Sequence, residues 1–502
     1  MQSMACVLFQ PSRSLASKSK AAPVDALASI VSLCKRRGFV FPTADLYGGS
    51  GIGYDYGPLG AQLVHNLSSR WWRDFVTARR DVLPLDSCTL APAALWQASG
   101  HLEHFVDPLT ECASCHARFR ADHIVGDVPG GLHGLAEALQ ASGRRCPACG
   151  ASGQDGLTGA FHAAERVLLP GHTCHMCRSA DPRQFNMLFN TSVGPVAGDA
   201  SQAYLRPETA QAVYAQWRNI VQCTRGKLPM GIATLGRSYR NEISTGNFIF
   251  RTREFTQAEI QYFCHPQQSA QVHEEWVTAA WQWLLQLGLP PHKLRKRQHS
   301  RDQLAHYALA TTDIEYLYPF GWGELWCVSQ RAVPRIGDYD LSRHSEASGS
   351  DLQAKDPHDG RVVRFFVPGH IQRPANAPTP CLAPQKFTPH VVEPALGVNR
   401  LVLAVLCAAL EHEQPSPQQT VDAESTQHTA VVHQPALGAA QLREADGTSR
   451  PLTRLPAAVA PVAAVLLPLV KKDGLLPKAE ALADVLAQKH HIAVEVDAAG
   501  SI

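Results

Sequence analysis

Apolar positions are most regular between residues 59 and 76. Leu59, Leu63, Leu67 and Trp71 recur every four residues, with Val64, Trp72, Phe75 and Val76 beside them. That period predicts an amphipathic helix with a wide apolar face. Such a stripe packs into a core by default, and the YDYGPLG turn before it also allows an interface role. Residues 27–108 read as folded, with few gaps. Residues 183–405 alternate short β-type runs with turns, in 227–240, 248–263 and 313–320, which predicts a largely antiparallel sheet. Between these blocks, residues 109–180 carry many glycines and little periodicity, the mark of an inserted module. Residues 411–455 are rich in Gln, His, Ala, Ser and Pro and read as a flexible linker. Beyond it, AAVLLPLV predicts a buried strand, Ala479, Leu482, Val485 and Leu486 one face of a helix, and IAVEV a second strand. A β-α-β unit of this size cannot close a core by itself.

Composition adds limits. The 502 residues suffice for two or three domains, and 45% hydrophobic with 18% charged residues is ordinary for a globular chain. No apolar run is long enough to span a bilayer. Lys and Arg total 46 against 44 acidic residues, so a nucleic-acid surface would have to come from local clusters. Six of the 14 cysteines form three CxxC pairs: Cys112/Cys115, Cys146/Cys149 and Cys174/Cys177. This spacing suits metal thiolates better than disulfides, and four thiolates complete a tetrahedral zinc shell. His116, His172 and His175 lie beside the pairs, but a lone surface histidine is usually not a ligand. Residues 1–24 contain Arg13, Lys18, Lys20, five serines and no acid. That is the composition of an organellar transit peptide, or equally of an unprocessed extension, so the sequence leaves a cytoplasmic and a mitochondrial location open.

The densest chemistry lies between Tyr204 and His265, in YLRPETAQ and GRSYRNEISTGNFIFRTREFTQAEIQYFCH. Arg240 and Arg253 stand before and after a hairpin-like loop, with Glu242 after the first and Phe255 after the second. Activating a carboxylic acid with ATP requires cations at the α-phosphate, a flat apolar surface for adenine and an acceptor for its amino group. Arginine suits the phosphate because its planar fork pairs two oxygens. Either piece alone would more readily be a salt-bridged strand edge.

Together with PFGWGEL, PHVVEPALGVNR, RRGFVFPTADLYGG, YDYGPLG and WQASGH, these segments resemble, in order, the signatures of glycyl-tRNA synthetases, a class II aminoacyl-tRNA synthetase family. The CxxC pairs, RFRADH and RQFNMLF are similar to the bacterial-type dimeric branch. The resemblance implies an α+β fold: an antiparallel sheet flanked by helices (25–410), a zinc-binding insertion (109–180), and a partial α/β anticodon-binding domain (456–502) after the linker. It implies catalytic roles for Arg240 and Arg400. ATP contacts would come from Arg240, Asn241, Glu242, Phe250, Arg251, Thr252, Arg253, Glu254, Phe255, Glu324, Leu325, Gly397, Val398, Asn399 and Arg400. Glycine would meet Arg120, Glu208, Phe255, Thr256, Gln257, Ala258, Glu259, Glu393, Ala395 and Gly397. Zinc would be structural, held by Cys112, Cys115, Cys174 and Cys177, with Cys146 and Cys149 as the alternative pair. Mg2+ would accompany ATP, the partners would be ATP, glycine and tRNA(Gly), and the chain would form a homodimer with no membrane association. A non-catalytic relative that binds nucleic acid or a partner, and an inactive product, are the competing readings.

The chain departs from the family pattern at several positions. Ala395 replaces the serine after Glu-Pro, Gln261 an acid and Asn399 the aspartate of GVDR. GELWCVS stands for GELEGIA, and QRAVPRIGDYDL for the shorter NRTDYDL. The resemblance further implies an arginine-rich continuation beyond Ile502, hence the expectation of an abbreviated C-terminal domain.

Overall fold

The computed structural model describes residues 26–48, 51–112, 115, 117–126, 128, 131–142, 145–150, 183–195, 202–224, 227–333, 337–355, 386–412, 451–453, 455–456, 459–462, 464–466, 474–490 and 493–497. The N-terminal extension, most of the linker, and Cys174 with Cys177 lie outside them. At the centre is a seven-stranded sheet of β1 (Val82–Pro84), β2 (Met230–Tyr239), β3 (Glu254–Cys264), β4 (Leu294–Gln298), β5 (Ala308–Tyr318), β6 (Gly321–Arg331) and β7 (His390–Gly397). Its spatial order is β4-β5-β6-β7-β3-β2-β1, with every neighbouring pair antiparallel except β1 and β2. This is the antiparallel sheet that the alternating runs predict.

Strand alternation divides each central strand between two jobs. On β3, Ala258, Ile260, Tyr262 and Cys264 enter the main core, while Gln257, Glu259 and Gln261 face the other way. The core side is covered by helices. The predicted helix is α1 (Pro58–Trp72), and Leu63, Leu67 and Trp71 on its stripe are fully buried. It starts at Pro58, whose missing N–H costs nothing in the first turn. A side chain at Gly60 would strike the Phe39 backbone, which explains that glycine in the turn. One π-helical turn, Arg73–Thr77, extends it and brings Phe75 against Trp276, Trp283 and Trp326, with ring centroids 5.4–6.0 Å away. Helix α2 (Ala210–Thr224) lies on the opposite side, where Trp217 stacks on Phe263 at 3.9 Å. Helix α3 (Ser269–Gln286) adds Trp276 and Trp283, and α4 (Tyr339–Ser348) follows β6. Helix α5 (Val398–Ala409) is apolar almost all round and correspondingly buried. No described helix is long and apolar enough to cross a membrane.

Two local expectations change. The run over 248–263 is interrupted: Asn247 and Phe248 adopt left-handed backbone (φ 55° and 59°), Phe248–Phe250 form a 3-10 turn, and the strand begins only at Glu254. At the C-terminal end, Ala464–Leu466 pairs in parallel with Val494–Val496, beside a helix over Leu475–His490. The expected burial is absent there among the described residues: Val465 and Leu482 are 47% and 48% exposed. Two short strands and one helix offer too little surface to bury both.

Candidate active site

The cleft opens on the side of the sheet turned away from the main core. Arg240 follows the end of β2, its N–H donating to the Arg253 carbonyl (2.8 Å) and its Nε to the Pro207 carbonyl (3.1 Å). These bonds set its guanidinium 5.3 Å from the centre of the Phe255 ring. Arg400 occupies the first turn of α5. Its guanidinium lies 4.4 Å from the Phe250 ring centre and donates to both the side chain (2.8 Å) and the carbonyl (3.1 Å) of Glu324. Between the two arginines is a solvent-open cleft. Glu242, Arg251, Thr252, Thr256, Gln257, Ala395, Gly397 and Asn399 complete much of its wall. The Asn399 Oδ1 accepts the Thr256 N–H at 2.9 Å, which ties α5 to β3.

Other residues from the sequence reading make contacts of their own around the cleft. Leu325, Val398 and Ala258 point into the core, so only their backbone can face the cleft. Glu254 is ion-paired to Arg237, Arg253 donates to the Gly51 carbonyl (3.1 Å), and the Asn241 N–H donates to the Met187 carbonyl (2.8 Å). Arg120 is held by Asp107 (2.9 Å) and Asp122 (2.5 Å) at the base of the insertion, where the charge of Glu242 in the cleft wall also reaches it.

Behind the cleft lies an acidic pocket. Glu259 accepts from Thr209 Oγ1 (2.5 Å) and Gln257 Nε2 (2.6 Å), and Thr234 backs Thr209 at 2.7 Å. Glu393 accepts from Gln261 Nε2 (2.7 Å) and Arg331 Nη1 (2.8 Å). Glu208 lies 3.6 Å from His101 and accepts from Gln211 at 2.9 Å. Burial opposes charge on Glu208, but His101 above all, with Arg331 and Gln211, holds its carboxyl well below the usual range. Glu259 goes the other way: burial first, then the charges of Glu393 and Glu208, push it up to about 8. The three carboxylates therefore lie close enough to disfavour one another's charge, with one buried cation bonded to Glu393.

That cation, Arg331, is missing from the sequence-derived site. It is 2% exposed, bonds Glu393 and Asp340, has Asp338 at 3.8 Å and lies 4.1 Å from the Tyr307 ring centre. Strand parity was the available signal, since Cys327, Ser329 and Arg331 alternate onto one face of β6. Asp338 also caps α4 through Leu341 N–H (2.8 Å).

In the insertion, Val106–Glu111 pairs with Arg118–Arg120 and Arg183–Asn186. Cys112, Cys115, Cys146 and Cys149 converge there, all four sulfurs within 4.8 Å of one another. Cys112–Cys149 and Cys115–Cys146 are separated by 3.8 and 3.7 Å. Zn–S bonds of 2.3 Å in a tetrahedron place sulfurs about 3.8 Å apart, so the quartet fits zinc. It unites the first CxxC pair with the alternative one.

Residues 196–354 match the family model described as tRNA synthetase class II core domain (G, H, P, S and T). The glycine–tRNA ligase of Thermobifida fusca is 38% identical over 486 residues, covering 96% of this chain and 87% of its own length. That of Treponema pallidum (strain Nichols) is 38% identical over 476 residues, covering 95% and 87%. Among solved structures, Giardia lamblia prolyl-tRNA synthetase in complex with prolyl-adenylate is similar with a TM-score of 0.52 at 11% identity, a likeness of fold alone. The match covers 95% of this chain and 65% of that one.

Proposed function

Because this chain belongs to the glycine–tRNA ligase family, we infer that the cleft is where glycine is activated with ATP and then passed to tRNA. The observation that carries this placement is the pair of arginine–aromatic stacks, Arg240 with Phe255 and Arg400 with Phe250, joined to a pocket of three glutamates. In the first step a glycine carboxylate oxygen attacks the α-phosphorus and diphosphate leaves. In the second, a terminal ribose hydroxyl of tRNA attacks the glycyl carbonyl and AMP leaves. Arg240 would hold the α-phosphate, Phe255 the adenine and Arg400 the far phosphate, while Glu242 would read the adenine amino group. Mg2+, which class II synthetases use with ATP, would neutralise phosphate charge, and Glu324 is the carboxylate at that end. Glu208, Glu259 and Glu393 would receive the ammonium group. Glycine-dependent ATP–pyrophosphate exchange tests the assignment, and faster exchange with alanine or serine would redirect it.

The pocket also predicts a pH effect. Below about pH 8 an empty Glu259 carries a proton that the incoming ammonium must displace. The KM for glycine should therefore fall as pH rises from 6 to 8, by up to about tenfold per unit, then level off. Glu259→Gln should flatten that slope. A KM independent of pH in the unaltered enzyme would count against the protonated state.

Zinc is read as structural and held by Cys112, Cys115, Cys146 and Cys149. We expect about one zinc per chain, lost together with the fold of the insertion in Cys112→Ser. Metal analysis and near-ultraviolet circular dichroism check this, and a metal-free insertion that remains folded would refute it. A homodimer remains the expected assembly, supported by the exposure of Leu46 and Tyr47 on the 3-10 turn Asp45–Tyr47 and of Ile52.

A further inference from the structure

The chain is nearly neutral overall, yet residues 293–301 read KLRKRQHSR, five Lys or Arg in nine positions with no acid. This run forms β4 and its flanks, the outer edge of the seven-stranded sheet, and Arg295–Gln298 are all exposed. We propose that this basic edge is a contact surface for the phosphate backbone of tRNA whose 3′ end lies in the cleft, an inference that rests on the reading above.

The register supplies the geometry. Arg295 stands opposite Glu315, which stands opposite Glu324, the carboxylate bonded to Arg400 at the cleft rim. Two strand spacings separate the edge from that rim, roughly 10 Å, so RNA entering the cleft passes close by. Glu315 engages Arg295 at 2.5 Å and Arg297 at 3.6 Å, and Asp313 engages His299 at 2.6 Å. Among the described residues, Lys293, Lys296 and Arg301 form no ion pair. Two indoles lie within the patch: Arg295 is 4.3 Å from the ring centre of half-exposed Trp322, and Lys296 is 5.5 Å from that of Trp281. Cations on an edge strand also deter strand-to-strand aggregation. Clustering five of them on and around this edge, with an indole on either face of the strand, further matches a polyanion.

The test combines Lys296→Ala, Arg297→Ala and Arg301→Ala, exposed side chains outside the proposed catalytic groups. Binding to a tRNA acceptor-stem RNA should weaken at least tenfold, and its dependence on log salt concentration should flatten by about two units, as expected for loss of three phosphate contacts. Glycine-dependent exchange should remain within twofold. The charge-conserving set Lys296→Arg, Arg297→Lys and Arg301→Lys should keep most of the affinity, which separates charge from packing. Unchanged RNA affinity and salt dependence in the alanine set would overturn the surface, as would full loss in the charge-conserving set. Failure of the unaltered chain to support exchange would instead count against the functional reading, because RNA binding is measured separately.

Discussion

Replacing Arg240 with alanine should lower glycine-dependent ATP–pyrophosphate exchange by a hundredfold or more. The guanidinium is fixed before substrate arrives, by a bond to the Pro207 carbonyl and by the Phe255 ring, so it needs no reorganisation as charge builds on the α-phosphate. A preorganised donor of this kind contributes about 3 kcal/mol or more to the transition state. Its side chain belongs to the cleft rather than the core, so the melting temperature should change little. Arg240→Lys should recover only part of the activity, because an ammonium cannot pair two phosphate oxygens. Exchange at the unaltered level in Arg240→Ala would remove that residue from the chemistry.

The largest loss of stability is expected at Arg331. Arg331→Met leaves Glu393, Asp338 and Asp340 buried without their shared cation. Breaking a buried pair by removing one partner costs roughly 3–5 kcal/mol. Asp338 is already pushed up to about 8, by burial first and also by Asp340, despite Arg331 beside it. Without the arginine its charged form becomes still less favourable. A drop of about 10 °C in melting temperature is the expected reading. Adding Glu393→Gln should restore part of it, since one stranded charge is removed. If Arg331→Met melts with the unaltered enzyme, the ion cluster is not what holds this corner.

The central sheet and α1 were legible because each reports a single physical period, two in the strands and four in Leu59–Trp71. The grouping of Arg240, Glu242 and Phe255 in one cleft was legible because SYRNEI and FRTREF flank the turn between two neighbouring strands. Arg331 was not, since its meaning depends on Glu393, Asp338 and Asp340, which converge only after the sheet and α4 are assembled. The anchoring of Arg120 to Asp107 and Asp122 was likewise hidden, since it forms only when a small sheet assembles, a pairing that spacing cannot reveal. The grouping of cysteines was equally out of reach, because three CxxC pairs allow several quartets and spacing alone does not rank them.

The two-sided use of β3 has a consequence for heredity. Losing one residue between Ala258 and Phe263 would exchange core and cleft side chains beyond that point, so the strand can change in kind but not in length. The departures Gln261, Cys327 and Ala395 obey this rule, each altering a cleft-facing position while its strand keeps its count. The connection after β6 is under no such constraint. Val333 and Gly337 bond each other in both directions, at 2.7 and 3.1 Å, and Gly337 takes a positive φ of 89°. Extra residues between them can loop out while Arg331 and Asp338 stay at the same ion cluster. Lineages of this enzyme should therefore accumulate insertions between 333 and 337 and substitutions, but not insertions, along β3.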